Sequence, residues 1–98
     1  MPSPKRVFQS TPRFERALKR YVAGNAKRQR CVSDTLRRME ADLFDQRLKT
    51  HPLSGTLDGY YASSCGYDCR IVFTLQAGGV KGIEKIVLFA VGTHEDVY

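Results

Sequence analysis

Ninety-eight residues, 42% of them hydrophobic, predict one globular domain over residues 1–98 rather than a disordered chain. No apolar run approaches the roughly 18 residues that span a bilayer, and MPSPKRVFQS lacks the hydrophobic core of a secretory signal, so a cytoplasmic protein with no membrane partner is expected. The net charge of +6 is lopsided: residues 1–50 hold thirteen Lys/Arg against five Asp/Glu, and residues 51–98 hold three against five. A basic half invites a polyanion, either nucleic acid or an acidic protein segment, although a solvated basic helix surface has the same composition.

Lys5-Arg6-Val7-Phe8-Gln9 alternates like a short strand. Thr11 then suits a helix N-cap and Pro12 the first helical position, where no amide hydrogen is needed. Phe14, Leu18, Tyr21 and Val22 fall at i, i+4, i+7 and i+8, one apolar stripe of a helix that Gly24-Asn25 ends. A second helix is predicted from about Lys27 to Phe44, with Val32, Leu36, Met39 and Leu43 inward and Lys27, Arg28, Arg30, Arg37 and Arg38 outward. His51-Pro52-Leu53-Ser54-Gly55 reads as a breaker.

Beyond it the period changes to two. Tyr60-Tyr61-Ala62 is a short strand candidate, and Asp68 to Leu75 a stronger one with Cys69, Ile71, Phe73 and Leu75 on one face. Gln76 to Gly82 is a glycine-rich hairpin loop, and Glu84 to Val91 a central strand, apolar on both faces. The order predicts an α+β domain: an N-terminal strand, a helical hairpin, then an antiparallel meander completing a four-stranded sheet with the hairpin on one face. Cys31, Cys65 and Cys69 are odd in number and lack a second ligand pair, so free thiols, no metal and no cofactor are expected.

Four pieces in order, Leu48-Lys49-Thr50-His51-Pro52-Leu53-Ser54-Gly55, Asp58-Gly59-Tyr60, Gly66-Tyr67-Asp68-Cys69-Arg70-Ile71-Val72-Phe73 and Gly92-Thr93-His94, resemble the RelE/ParE superfamily of type II toxin–antitoxin toxins. The Gly-Thr-His ending followed by an acid and a terminal aromatic is most similar to its YafQ-like branch. The resemblance implies an endoribonuclease that cuts messenger RNA on the ribosome and is silenced by a partner antitoxin. It implies His94 as the acid that protonates the leaving oxygen and Asp68 as the group that helps activate the nucleophile. It further implies His51 in substrate or acid–base work, Arg70 on the phosphate and Tyr98 stacked on a base. Two positions depart from the branch: Ser64 stands where another histidine is usual, and Cys69 where tryptophan is usual.

The chemistry is consistent with those residue types. Cleavage without a metal needs a base for the 2′-OH, an acid for the departing 5′-oxygen and cations for the phosphate. Imidazole titrates near neutral pH, and this chain holds two, His51 and His94. Asp68 and Arg70, two apart on a strand, would share a face. Lys19, Arg20, Lys27, Arg28, Arg30, Arg37 and Arg38 would meet RNA phosphates or an acidic antitoxin. Two other readings stand beside this one: a gyrase inhibitor of the same fold, indifferent to His94, and a decayed toxin that binds its antitoxin without cutting.

Overall fold

The computed structural model describes residues 5–66 and 68–97. The elements run β1 (Lys5–Gln9), α1 (Pro12–Val22), α2 (Ala26–Ala41), β2 (His51–Pro52), β3 (Tyr61–Cys65), β4 (Cys69–Ala77), β5 (Ile83–Gly92) and α3 (His94–Val97), with single 3-10 turns at Gln46–Leu48 and Gly55–Leu57. As the Thr11-Pro12 pair predicts, Thr11 caps α1, its side chain accepting from the Phe14 amide at 3.1 Å. The Thr11 hydroxyl also donates to the Leu88 carbonyl at 2.8 Å, pinning the start of α1 to β5. Asn25 caps α2 in the same way, accepting from the Arg28 amide at 3.0 Å after Gly24 turns the chain at φ +65.

The sheet has five strands in the order β1-β5-β4-β3-β2 rather than the four expected. The added strand is β2, where His51 pairs with Ala62 and Pro52 with Tyr61. Pro52 makes the stretch look like a breaker, but an edge strand tolerates a residue with no amide hydrogen. The sheet is also mixed: β1 runs parallel to β5, and only β2 to β5 form the antiparallel meander. The second helix stops at Ala41, three residues before the expected Phe44, and Phe44 is 58% exposed. Asp42 and Asp45 end it by drawing backbone donors to their own carboxylates: Phe44 N to Asp42 at 3.1 Å and Arg47 N to Asp45 at 2.9 Å.

Both helices cover one face of the sheet. Phe14, Val32, Met39, Leu43 and Leu48 bury themselves against Ile71, Phe73, Ile86, Leu88 and Val91. The opposite face, called the open face below, has a smaller apolar cluster of Ala62, Val72, Ala90 and Val97, so α3 folds back onto it. The β4–β5 ladder carries a bulge: Val72 pairs with Ala90 and Phe73 with Leu88, leaving Phe89 as the extra residue. The bulge places Phe89 and Ala90 side by side on the open face, where Phe89 packs on Tyr60 with ring centroids 4.9 Å apart.

Candidate functional site

Register determines which candidate residues meet. On the open face Ser64, Arg70 and Gly92 form one row across β3, β4 and β5. Directly opposed residues of a sheet point to the same side. Their odd-numbered neighbours Cys65, Cys69 and Ile71 face the helices, which leaves Arg70 and Ser64 outward. Asp68 lies two residues before Arg70 and His94 two residues after Gly92, so both stand at the same end of the sheet. Asp68 and His94 are exposed, whereas Arg70 is half-buried and donates from Nη1 to the Cys69 carbonyl at 3.0 Å.

His51 belongs to the next row, with Ala62, Val72 and Ala90. It is on the same face but on the far edge, three strands from β5, a distance of about 15 Å at the usual strand spacing. Its Nδ1 lies 2.8 Å from the Lys49 carbonyl, which turns the ring back along its own strand. Tyr98 lies outside the described residues. Position 69, where the resemblance raised the loss of a stacking ring, is turned away from the open face: Cys69 is 2% exposed and packs under the helices. Ser64, the other departure, stands opposite Arg70.

The basic residues divide into three groups. β1 covers β5 only as far as the Gln9–Val87 pair, and the chain then turns into α1. The uncovered end of β5 therefore faces α1 across a recess of about 500 Å³, lined by Arg13, Arg16, Arg20, Tyr21, Arg28, Ala90, Val91 and Thr93. Among the described residues no carboxylate lines it. Two of its guanidinium groups are held by aromatic faces: Arg13 lies 4.4 Å from the centroid of Phe89 and Arg28 4.4 Å from that of Tyr21. Arg28 also donates to the Tyr21 carbonyl at 3.1 Å. A guanidinium stacked on its flat face keeps N–H donors at its edge for an oxyanion. The Tyr21 phenol beside them is pushed up to about 12, chiefly by burial and then by its hydrogen bond with Cys69, and so stays a neutral donor.

The sequence pattern points to Arg20 and Arg28 but not to Arg13 and Arg16. The signal was present: 13, 16 and 20 lie at i, i+3 and i+7 on one helix face, beside the apolar stripe. Arg37 and Arg38 instead line a shallow recess of about 350 Å³ with Asp34, Asp42 and Asp45, and Arg37 lies 3.7 Å from Asp34. Their charge is locally answered. Lys19, Lys27 and Arg30 are exposed on the helix surface.

The end of β5 thus runs between two cationic flanks, with Arg70 on the β4 side and Arg13, Arg16 and Arg20 on the uncovered side. Among the described residues no group of three His, Cys, Asp or Glu side chains is placed to hold a metal ion, and no helix is long and apolar enough to cross a membrane.

A helical hairpin on one face of a five-stranded mixed sheet, closed by a short helix on the other, is the fold of the RelE/ParE-type toxins. The chain is similar to a YoeB/ParE toxin from Agrobacterium tumefaciens, with a TM-score of 0.71 at 17% identity over 89% of this chain and 97% of that one. It is similar to YafQ from E. coli, with a TM-score of 0.71 at 15% identity over 95% and 98%. YafQ in the E. coli DinJ–YafQ toxin–antitoxin complex gives 0.69 at 16% over 96% and 98%. At such identities the likeness is one of fold. No protein-family model and no curated protein matches the sequence.

Proposed function

We propose that this protein is the toxin of a type II toxin–antitoxin pair, an endoribonuclease that cuts messenger RNA on the ribosome in the cytoplasm. The observation that supports the reading is the place of residue 94 in the chain: it opens α3 two residues after Gly92, which pairs with Arg70, and next to Thr93, which lines the arginine recess. Asp68 takes the proton of the 2′-OH, whose oxygen attacks the adjacent phosphorus. His94, as imidazolium, protonates the 5′-oxygen as it leaves. Arg70 meets the charge that builds on the phosphate oxygens. The products are a 2′,3′-cyclic phosphate and a 5′-hydroxyl, and no step draws on a metal or cofactor.

In this reading the arginine recess grips the phosphates of the RNA strand that flank the cut. His51, on the far edge of the same face, contacts the strand rather than the reacting phosphate. Tyr98 stacks on a base, an interaction worth roughly 1–3 kcal/mol. An acidic antitoxin competes for the same cationic surface. YafQ, which shares the fold, is found in a toxin–antitoxin complex with DinJ.

The test is to map transcript 5′ ends in cells after inducing the wild type and His94→Ala. The wild type is expected to leave in-frame cuts within coding regions, and the variant none while retaining the wild-type circular dichroism spectrum. Undiminished cutting by His94→Ala refutes the role of His94. Double-strand DNA breaks without cut transcripts would favour gyrase as the target.

A further inference from the structure

Three thiols meet where α2 passes the end of β3, on the helix side of the sheet and away from the open face. Cys31 Sγ, on α2, lies 3.5 Å from Cys65 Sγ, on the last residue of β3. Cys65 in turn pairs with Cys69 across the β3–β4 ladder. Cys65 and Cys69 are 1% and 2% exposed, whereas Cys31 is partly open to solvent. The approach depends on Gly66, because a Cβ there would stand 3.0 Å from Cys31 Sγ.

We propose that Cys31 and Cys65 form a redox pair that peroxide closes into a disulfide, tying α2 to the turn that leads into Asp68 and Arg70. Thiol pairs of this kind in a reducing compartment act transiently, as sensors rather than as scaffolding. Cys31 reacts first because solvent reaches it. Its sulfur, having given its proton to water, attacks one oxygen of hydrogen peroxide. The O–O bond breaks, leaving a sulfenic acid and, once the departing hydroxide regains a proton, one water. The sulfur of Cys65 then attacks the sulfenic sulfur. The S–S bond forms, the S–O bond breaks, and the hydroxide leaves with the Cys65 proton as a second water. Two thiols lose two electrons and two protons, and one peroxide becomes two waters.

The sulfurs must close from 3.5 Å to a bond of about 2.0 Å, a small movement for the turn at Gly66. Burial pushes the Cys31 thiol up, and a hydrogen bond to Cys69, together with burial, pushes Cys65 up. Both raise the share of unreactive thiol at rest. Cys69, hydrogen-bonded to Cys65 and Tyr21, is held below the usual thiol range chiefly by the Cys65 bond, and it is its burial at 2% exposure that shields it from peroxide.

The experiment treats the reduced full chain with hydrogen peroxide, alkylates the remaining thiols, and maps peptides by mass spectrometry without reduction. The expected product is a monomer lighter by two hydrogens, with a Cys31–Cys65 cross-link and Cys69 alkylated. Its melting temperature should rise by more than about 5 °C and return to the starting value with dithiothreitol. Cys69→Ser should still bridge. Cys31→Ser, at a partly exposed position, should fold and fail to bridge. A Cys65–Cys69 bridge, a dimer linked through Cys31, or Cys31 carried to sulfinic acid beside a free Cys65 would each overturn the proposal.

Discussion

Replacing Arg16 with glutamine should make RNA binding less sensitive to salt, by an amount that follows from the recess. Four arginines line it, at positions 13, 16, 20 and 28. Each phosphate neutralised on a single strand adds about −0.7 to the slope of log K against log salt. Four such contacts give about −2.8, a loss of roughly 50-fold in affinity between about 50 and 200 mM salt. Without Arg16 the slope should flatten by about 0.7, leaving a loss of roughly 18-fold from the recess over the same range. Fluorescence anisotropy with a labelled single-stranded RNA reads this directly, using His94→Ala as the background so that the probe stays intact. Arg37→Gln is the control, because Arg37 already lies 3.7 Å from Asp34 in an acid-lined recess. Equal slopes for Arg16→Gln and its parent, or equal flattening by both substitutions, would refute the assignment of phosphates to the recess.

Two further expectations concern stability. Thr11→Ala removes both the cap on Phe14 N and the bond to the Leu88 carbonyl, and should cost about 1–2 kcal/mol. A thermal melt should therefore fall by about 4–8 °C per kcal/mol, with most of the loss recovered in Thr11→Ser. The Asp45 carboxyl is held at about 2 by hydrogen bonds from the Arg47 side chain and backbone. Its folded value lies below the ordinary carboxylate value, so its contribution is complete above about pH 4 and fades as pH falls through about 2. Urea midpoints of the wild type and Asp45→Asn should separate above pH 4 and converge toward pH 2; a constant gap would show that this carboxylate is not responsible.

Much of the fold was written in local pattern. The stripe from Phe14 to Val22 and the Thr11-Pro12 start determine α1 without help from the rest of the chain. Features that needed tertiary pairing were hidden. Nothing in Lys5–Gln9 says that it will lie parallel to β5, and His51-Pro52 becomes a strand only because Tyr61-Ala62 offers it an edge. The early end of α2 is a competition that the apolar spacing through Leu43 conceals and that Asp42 and Asp45 win. At the site, the period of two foretold that Arg70 turns away from Cys69 and Ile71. It did not foretell the recess, which exists because β1 stops at Gln9 and leaves the last residues of β5 facing α1.

The bulge at Phe89 has a consequence for comparing chains of this shape. Because Phe89 is the residue without a ladder partner, shortening the strand by that one position would leave Leu88 opposite Phe73 and Ala90 opposite Val72, with every other side chain facing as before. What would go is the ring beneath Arg13, together with its packing on Tyr60. A one-residue gap here would thus keep the ladder in step, and what the inserted residue adds is an aromatic seat for one guanidinium at the rim of the recess.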